Sequence, residues 1–182
     1  MNGRPLKATP APAGASAPYD GLDTSTVGTT DQDTHVHVRA WAGTKPDGEP
    51  VYELVPAKRL TDGRYEVVGT PALVLGCAAG DIVTLDETMR VRVLHRGGNL
   101  AVQAGPVKEF VPSDVDRLRE AMTPLGGLVE APADLRFIVV TVPAAAGFPH
   151  VESIMNEWAA TANAEWWYGN VTHDSGTLLN WW

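Results

Sequence analysis

The chain has 182 residues, a formal net charge of −8 and a pI of about 5.0, with 44% hydrophobic and 20% charged residues. Such a length suits one domain or two small ones around a buried core, and the composition is globular rather than disordered. The acidic balance, with Lys and Arg scattered, speaks against nucleic acid or an anionic membrane surface as partners.

Residues 1–33 are rich in Ala, Pro, Gly, Ser, Thr and Asp and almost lack large apolar side chains. They cannot bury enough surface to offset the entropy of ordering, which predicts a disordered N-terminal tail. The tail begins with positive charge but has no apolar stretch like that of a secretory signal. No apolar run in the chain reaches the length that spans a bilayer. The single cysteine, Cys77, allows no intramolecular disulfide and no multi-thiolate zinc site. A cytoplasmic protein without a membrane partner is the expectation.

From His35 the texture becomes that of short strands, giving a β-rich part over residues 34–105. HVHVRAWAG alternates polar and apolar residues with the period of a half-buried strand. TKPDGEP is a turn, VYELVPAKRL a second strand, and TDG a tight turn. RYEVVGTPALVLG is read as a strand and bend, AAGD as a turn with Gly80 free to take positive φ. DIVTLDE, MRVRVLHR and LAVQAG follow as strands, the last two joined by a hairpin at Gly97 and Gly98. Turns this closely spaced predict a small barrel or a strongly bent sheet.

The second half changes period. Pro112, Ser113 and Asp114 read as a helix start with Ser113 as N-cap. Val115, Leu118, Met122 and Leu125 recur at helical spacing, and Gly126 and Gly127 end the helix. LVEA is a short strand. LRFIVVTV, at 135–142, is the most apolar strand and is expected at the centre of a sheet. PAAAGFP is a loop, HVESIMNEWAATAN a second amphipathic helix, and EWWYGNV a last strand. Taken from LAVQAG, the order is β-α-β-β-α-β over residues 100–175, the ferredoxin-like pattern of two split βαβ units. The expected fold is therefore α+β, with a small β-rich barrel-like part, a ferredoxin-like βαββαβ half and an aromatic C-terminal tail at 176–182.

Across residues 35 to about 175 the chain resembles the DUF4265 family, bacterial proteins of unassigned function. The resemblance rests on an ordered series: the alternating HVHVRAW, then DGRYEVVGTPALVLG, then GDIV and a hairpin. After these come a helix opened by Asp and closed by Leu-Gly, a strand ending in Val-Pro (FIVVTVP) and the aromatic EWWYGNV. Members of the family tend to carry a polar hairpin resembling Ser-Gly-His-Ser, where this chain has Arg96-Gly97-Gly98-Asn99. If that hairpin carries activity in relatives, this protein lacks it. The resemblance supports a fold and transfers no catalytic residue.

Several side-chain groups invite a chemical reading. His35 and His37 share one strand face about 7 Å apart. That suits two imidazoles on one metal, with Asp31 and Asp33 as hard companions. Val36 and Val38 on the opposite face suit a core, however, which makes His35, His37 and Arg39 the solvent side of a sheet. Cys77, among small apolar residues, reads as a buried inert thiol, and no local His or cation would activate it. Glu109, Asp114 and Asp116 lie where carboxylates complement a helix dipole. Arg90, Arg92 and Arg96 could hold an anion, although solvated strand arginines are commoner. No phosphate loop, dinucleotide fingerprint, HExxH or GxSxG motif is present.

The aromatic end is the strongest anomaly, since five of the six Trp lie from Trp158 onward. Trp166 and Trp167 point to opposite faces of a strand. The terminal Leu-Leu-Asn-Trp-Trp either folds back over a sheet or docks on a partner, and it is a candidate cover for the His35/His37/Arg39 face. The candidate binding residues are thus His35, His37, Arg39, Trp166, Trp167, His173, Trp181 and Trp182. No catalytic residue, metal or cofactor is assigned. The expected function is a non-enzymatic peptide- or protein-binding accessory module or a homodimer, the rival being a small enzyme, metal-dependent or not, using His35 and His37.

Overall fold

The computed structural model describes residues 35–172 and 177–182. The expected disordered tail, with Asp31 and Asp33, and His173 lie outside these residues. The described chain is α+β, with nine strands in two sheets and two α-helices. None of its helices is long and apolar enough to cross a membrane.

The first sheet is a meander of β1 (His35–Thr44), β2 (Pro50–Arg59), β3 (Tyr65–Val67), β4 (Ile82–Leu85) and β5 (Val91–His95), paired antiparallel in chain order. Its inner face follows from the alternation in the sequence. Ala40, Val55, Val67 and Val83 turn inward and meet Val74 and Cys77 from the segment after β3 in a small core. The sheet does not close into a barrel: β1 and β5 are its edges. Strands of three and four residues at β3 and β4 are too short to carry the stagger that closure requires. The Trp41 N–H, donating to the Met89 carbonyl at 2.8 Å, ties β1 to the turn between β4 and β5. A bulge between Trp41 and Gly43 lies just beyond it.

The second sheet is built from β6 (Asn99–Pro106), β7 (Leu128–Glu130), β8 (Ile138–Pro143) and β9 (Ala164–Tyr168), in the spatial order β7-β8-β6-β9 with every pair antiparallel. Helix α1 (Pro112–Met122) links β6 to β7, and α2 (Phe148–Ala162) links β8 to β9. Val115, Leu118 and Met122 of α1 and Val151, Met155 and Trp158 of α2 pack on alternate residues of β6 and β8: Leu100, Val102 and Ala104 against Ile138, Val140 and Val142. The apolar run of β8 is explained by its inner position, since Val139 on its other face is buried as well.

The first helix starts earlier than its polar residues suggest. Pro112 is the first helical residue and Val111 the N-cap, not Ser113. Asp114 supplies the cap from inside, its carboxylate accepting the Val111 N–H at 2.9 Å. Pro at the first position costs nothing there, because that N–H has no intrahelical partner anyway. Helix α2 likewise begins at Phe148, after a 3₁₀ turn at Ala144–Ala146.

The two sheets meet along a polar seam. The segment between β3 and β4 crosses the face of the second sheet away from the helices. There the Thr70 and Thr141 hydroxyls bond at 2.5 Å, Gln103 Nε2 donates to the Pro71 carbonyl at 3.1 Å, and the Gly76 N–H donates to the Gly169 carbonyl at 2.7 Å. Glu53 of β2 fixes the same segment, its carboxylate accepting the N–H groups of Ala72, Leu73 and Val74 at 2.8–2.9 Å.

Candidate functional site

His35, His37 and Arg39 come together on one exposed face of β1, opposite the inward-turned Val38 and Ala40. Their partners across the hairpin are Lys58, Pro56 and Leu54. Leu54 is 61% exposed, so the face mixes cationic and apolar groups. At the turn end Trp41 is paired with Tyr52. The Arg39 guanidinium lies 3.7 Å above the Tyr52 ring and that of Arg90 lies 3.5 Å above Trp41. Stacking of this kind orders a guanidinium while leaving its N–H edges free. The sequence reading missed this ladder. A symmetric fold of the hairpin about TKPDGEP pairs 41 with 53; the bulge between Trp41 and Gly43 shifts the register by one and brings Trp41 opposite Tyr52, which no local pattern announces.

Among the described residues no group of three or more His, Cys, Asp or Glu side chains is placed to hold a metal ion. His95 and His150 lie on β5 and α2, and His150 Nδ1 is 2.8 Å from the Ala146 carbonyl.

The arginines expected as a group are separated by their partners. Arg96 reaches the fully buried Asp81 carboxylate at 3.1 Å and donates to the Gly76 carbonyl at 2.8 Å. Asp81 also accepts the N–H groups of Gly97 and Ala78. Burial raises the Asp81 carboxyl above its ordinary range, against the pull of those N–H groups and of Arg96. Arg90 is engaged with Trp41, and Arg92 is exposed. Cys77 is buried, and burial pushes its thiol up to about 12, the state of an inert thiol.

The aromatic residues fall on different surfaces. Trp166 lies on the helix side and donates to Asn156 Oδ1 at 3.1 Å. Trp167 lies on the other face and donates to Gln103 Oε1 at 2.6 Å. The end of the chain folds back: Leu178 bridges to Thr172, and the Trp181 indole donates to the Asn170 carbonyl at 2.7 Å. Trp182 packs edge-on against Phe148, with ring centroids 5.0 Å apart. Trp181 joins the larger core and is 5.1 Å from the Arg96 guanidinium. The tail is therefore anchored on the four-stranded half and on Arg96; the contacts of its indoles are there, and it is not the cover of the His35/His37/Arg39 face. Tyr168, beside Phe148 and Trp166, has a buried hydroxyl with no hydrogen-bond partner among the described residues. Burial raises its phenol well above the usual range.

An α+β chain with an exposed, unmatched β1–β2 face and an anchored C-terminal segment is the class of molecule these observations define. The chain belongs to the DUF4265 family, a domain of unknown function whose model matches residues 53–167, from β2 to within β9. Among solved structures it is similar to a hypothetical protein from Neisseria gonorrhoeae, with a TM-score of 0.57 and 14% identity over 74% of this chain and 95% of that one. At that identity the likeness is one of fold. No curated protein matches the chain.

Proposed function

We propose that this chain is a non-enzymatic accessory module that binds a peptide or a protein along the face and edge of its β1–β2 hairpin. The observation that carries this reading is the position of β1, ten residues long and at the sheet edge, with a strand partner on one side only among the described residues. A strand of that length with an unpaired edge is a template for an added strand. The exposed Leu54 and Pro56 beside it supply side-chain contacts. In this reading the second half is a ferredoxin-like scaffold, supported by its strand order and its two helical crossovers. The module works in the cytoplasm, where a lone thiol such as Cys77 stays reduced.

The test is nuclear magnetic resonance of the ¹⁵N-labelled full chain with a panel of short peptides of alternating Thr and varied polar residues. Shift changes concentrated on residues 35–41 and 52–58 are expected with at least one peptide. Changes confined to other surfaces, or none with any peptide, overturn the reading.

A further inference from the structure

We propose that the partner of β1 is an acidic, extended segment of another protein, added to the meander edge so that its carboxylates lie beside His35, His37 and Arg39. This rests on the binding reading above and narrows it to one class of partner.

The backbone settles which groups face the edge. The Trp41 N–H points away from β2, because it donates to Met89. Successive residues of a strand alternate in direction, so Arg39, His37 and His35 also turn their N–H and C=O groups outward. Pro56, the partner of His37, gives independent support. Its carbonyl accepts the Val68 N–H at 2.9 Å, so its backbone faces away from β1, as the pairing of two outward-facing residues requires. Among the described residues, none of His35, His37 and Arg39 makes a backbone bond beyond its own strand pairing. The contact between Trp41 and Met89 ends this free edge at one side.

The same three residues place their side chains on the exposed face. Every second residue of an added strand would then sit about 4.5–5.5 Å from one of them, Cβ to Cβ. Among the described residues His35, His37, Arg39 and Lys58 have no ion-pair partner. Arg39, stacked on Tyr52, is held ready to take a carboxylate through its N–H edge. A second copy of the chain fits poorly. Two β1 edges paired antiparallel about His37 would set His35 against Arg39 and bring no carboxylate to either guanidinium. Nucleic acid is held through many phosphate contacts, and Arg39 and Lys58 are the only Arg or Lys among the paired residues 35–39 and 54–58.

Fluorescence anisotropy of the full chain with a labelled peptide alternating Glu and Thr tests this, beside its Gln/Thr and Lys/Thr counterparts and a short oligothymidylate. The Glu peptide is expected to bind, more weakly as salt rises, and at least about tenfold tighter than the Gln peptide. Arg39→Gln and Lys58→Gln, both at exposed positions, are each expected to weaken it several-fold with an unchanged circular dichroism spectrum. Bound peptide should slow amide hydrogen exchange at His37 and Arg39. Equal binding of the Glu and Gln peptides, or full affinity in both variants, overturns the acidic partner and leaves peptide binding standing. Failure of all three peptides overturns both readings. Preferential binding of the oligothymidylate, or a dimer in sedimentation velocity that protects β1, overturns the proposal in favour of that occupant.

Discussion

Asp81 is a carboxylate without solvent, and three groups make it tolerable: the Arg96 guanidinium and the N–H groups of Gly97 and Ala78. Truncation of Arg96 would leave that charge buried and unmatched. Arg96→Ala is therefore expected to lose about 3–5 kcal/mol in urea unfolding. The pH dependence has a definite sign. The folded Asp81 carboxyl sits above its reference value of 3.8 and holds its proton to higher pH than the unfolded chain does. Its contribution is greatest below 3.8 and declines as pH rises through the folded value. Asp81→Asn should accordingly gain on the wild type as pH climbs out of the acid range; a constant difference between the two would contradict this. Tyr168 is the opposite case, a buried hydroxyl that nothing accepts or donates to among the described residues. Removing such a group relieves a desolvation cost, so Tyr168→Phe should leave stability unchanged or raise it by up to about 1 kcal/mol. A loss of that size would reveal a partner. Neither residue was legible as special in the sequence. Asp81 read as part of a turn and Arg96 as a surface arginine, because their pairing joins positions 15 residues apart that no local pattern connects.

Among the elements, the link between β5 and β6 is the most constrained; it is not the hairpin expected, because the two strands lie in different sheets and do not pair. A Cβ on Gly97 would lie 2.3 Å from the Gly80 carbonyl carbon, with only backbone to yield. Gly98 has φ +82 but open space around it. The two adjacent glycines therefore separate steric exclusion from backbone strain. Gly97→Ala should cost at least about 3 kcal/mol, at the top of the overpacking range. Gly98→Ala should cost about 1–2 kcal/mol, the left-handed penalty alone; equal costs in thermal unfolding would refute the assignment. The sequence suggested Gly97 and Gly98 as turn formers and Gly80 as a positive-φ residue, and Gly80 does take φ +88. It could not show that Gly80 and Gly97 touch. Periodic elements were easier to see: the order of strands and helices from LAVQAG onward is that of β6 to β9, because alternation and helical spacing are local properties. The start of α1 differs from the sequence reading because Asp114, three residues inside the helix, binds the Val111 N–H, a cap that a preference for Ser at the N-cap does not reveal.

At the scale of the whole molecule, the C-terminal segment closes one end of the larger core. Trp181 is partly buried and bonded through its indole, so Trp181→Ala should cost about 2–3 kcal/mol, below the range of a fully buried Trp. Trp182, 46% exposed and edge-on to Phe148, should cost about 1 kcal/mol. Chemical denaturation of both variants checks the ranking; a larger loss at Trp182 would make it, rather than Trp181, the anchor of the segment. This docking was half legible. A terminal Trp pair had to be covered, but the sequence could not say by what. Arg96 sits at the crossing point, between Asp81 of the meander and Trp181 of the tail. Gly97, next in the chain, rests on Gly80 backbone to backbone. A peptide bond broken between Arg96 and Asn99 would thus sever a joint that each half uses as part of its own interior. Fragments split there should be separately insoluble or unfolded, and should recover structure only when mixed.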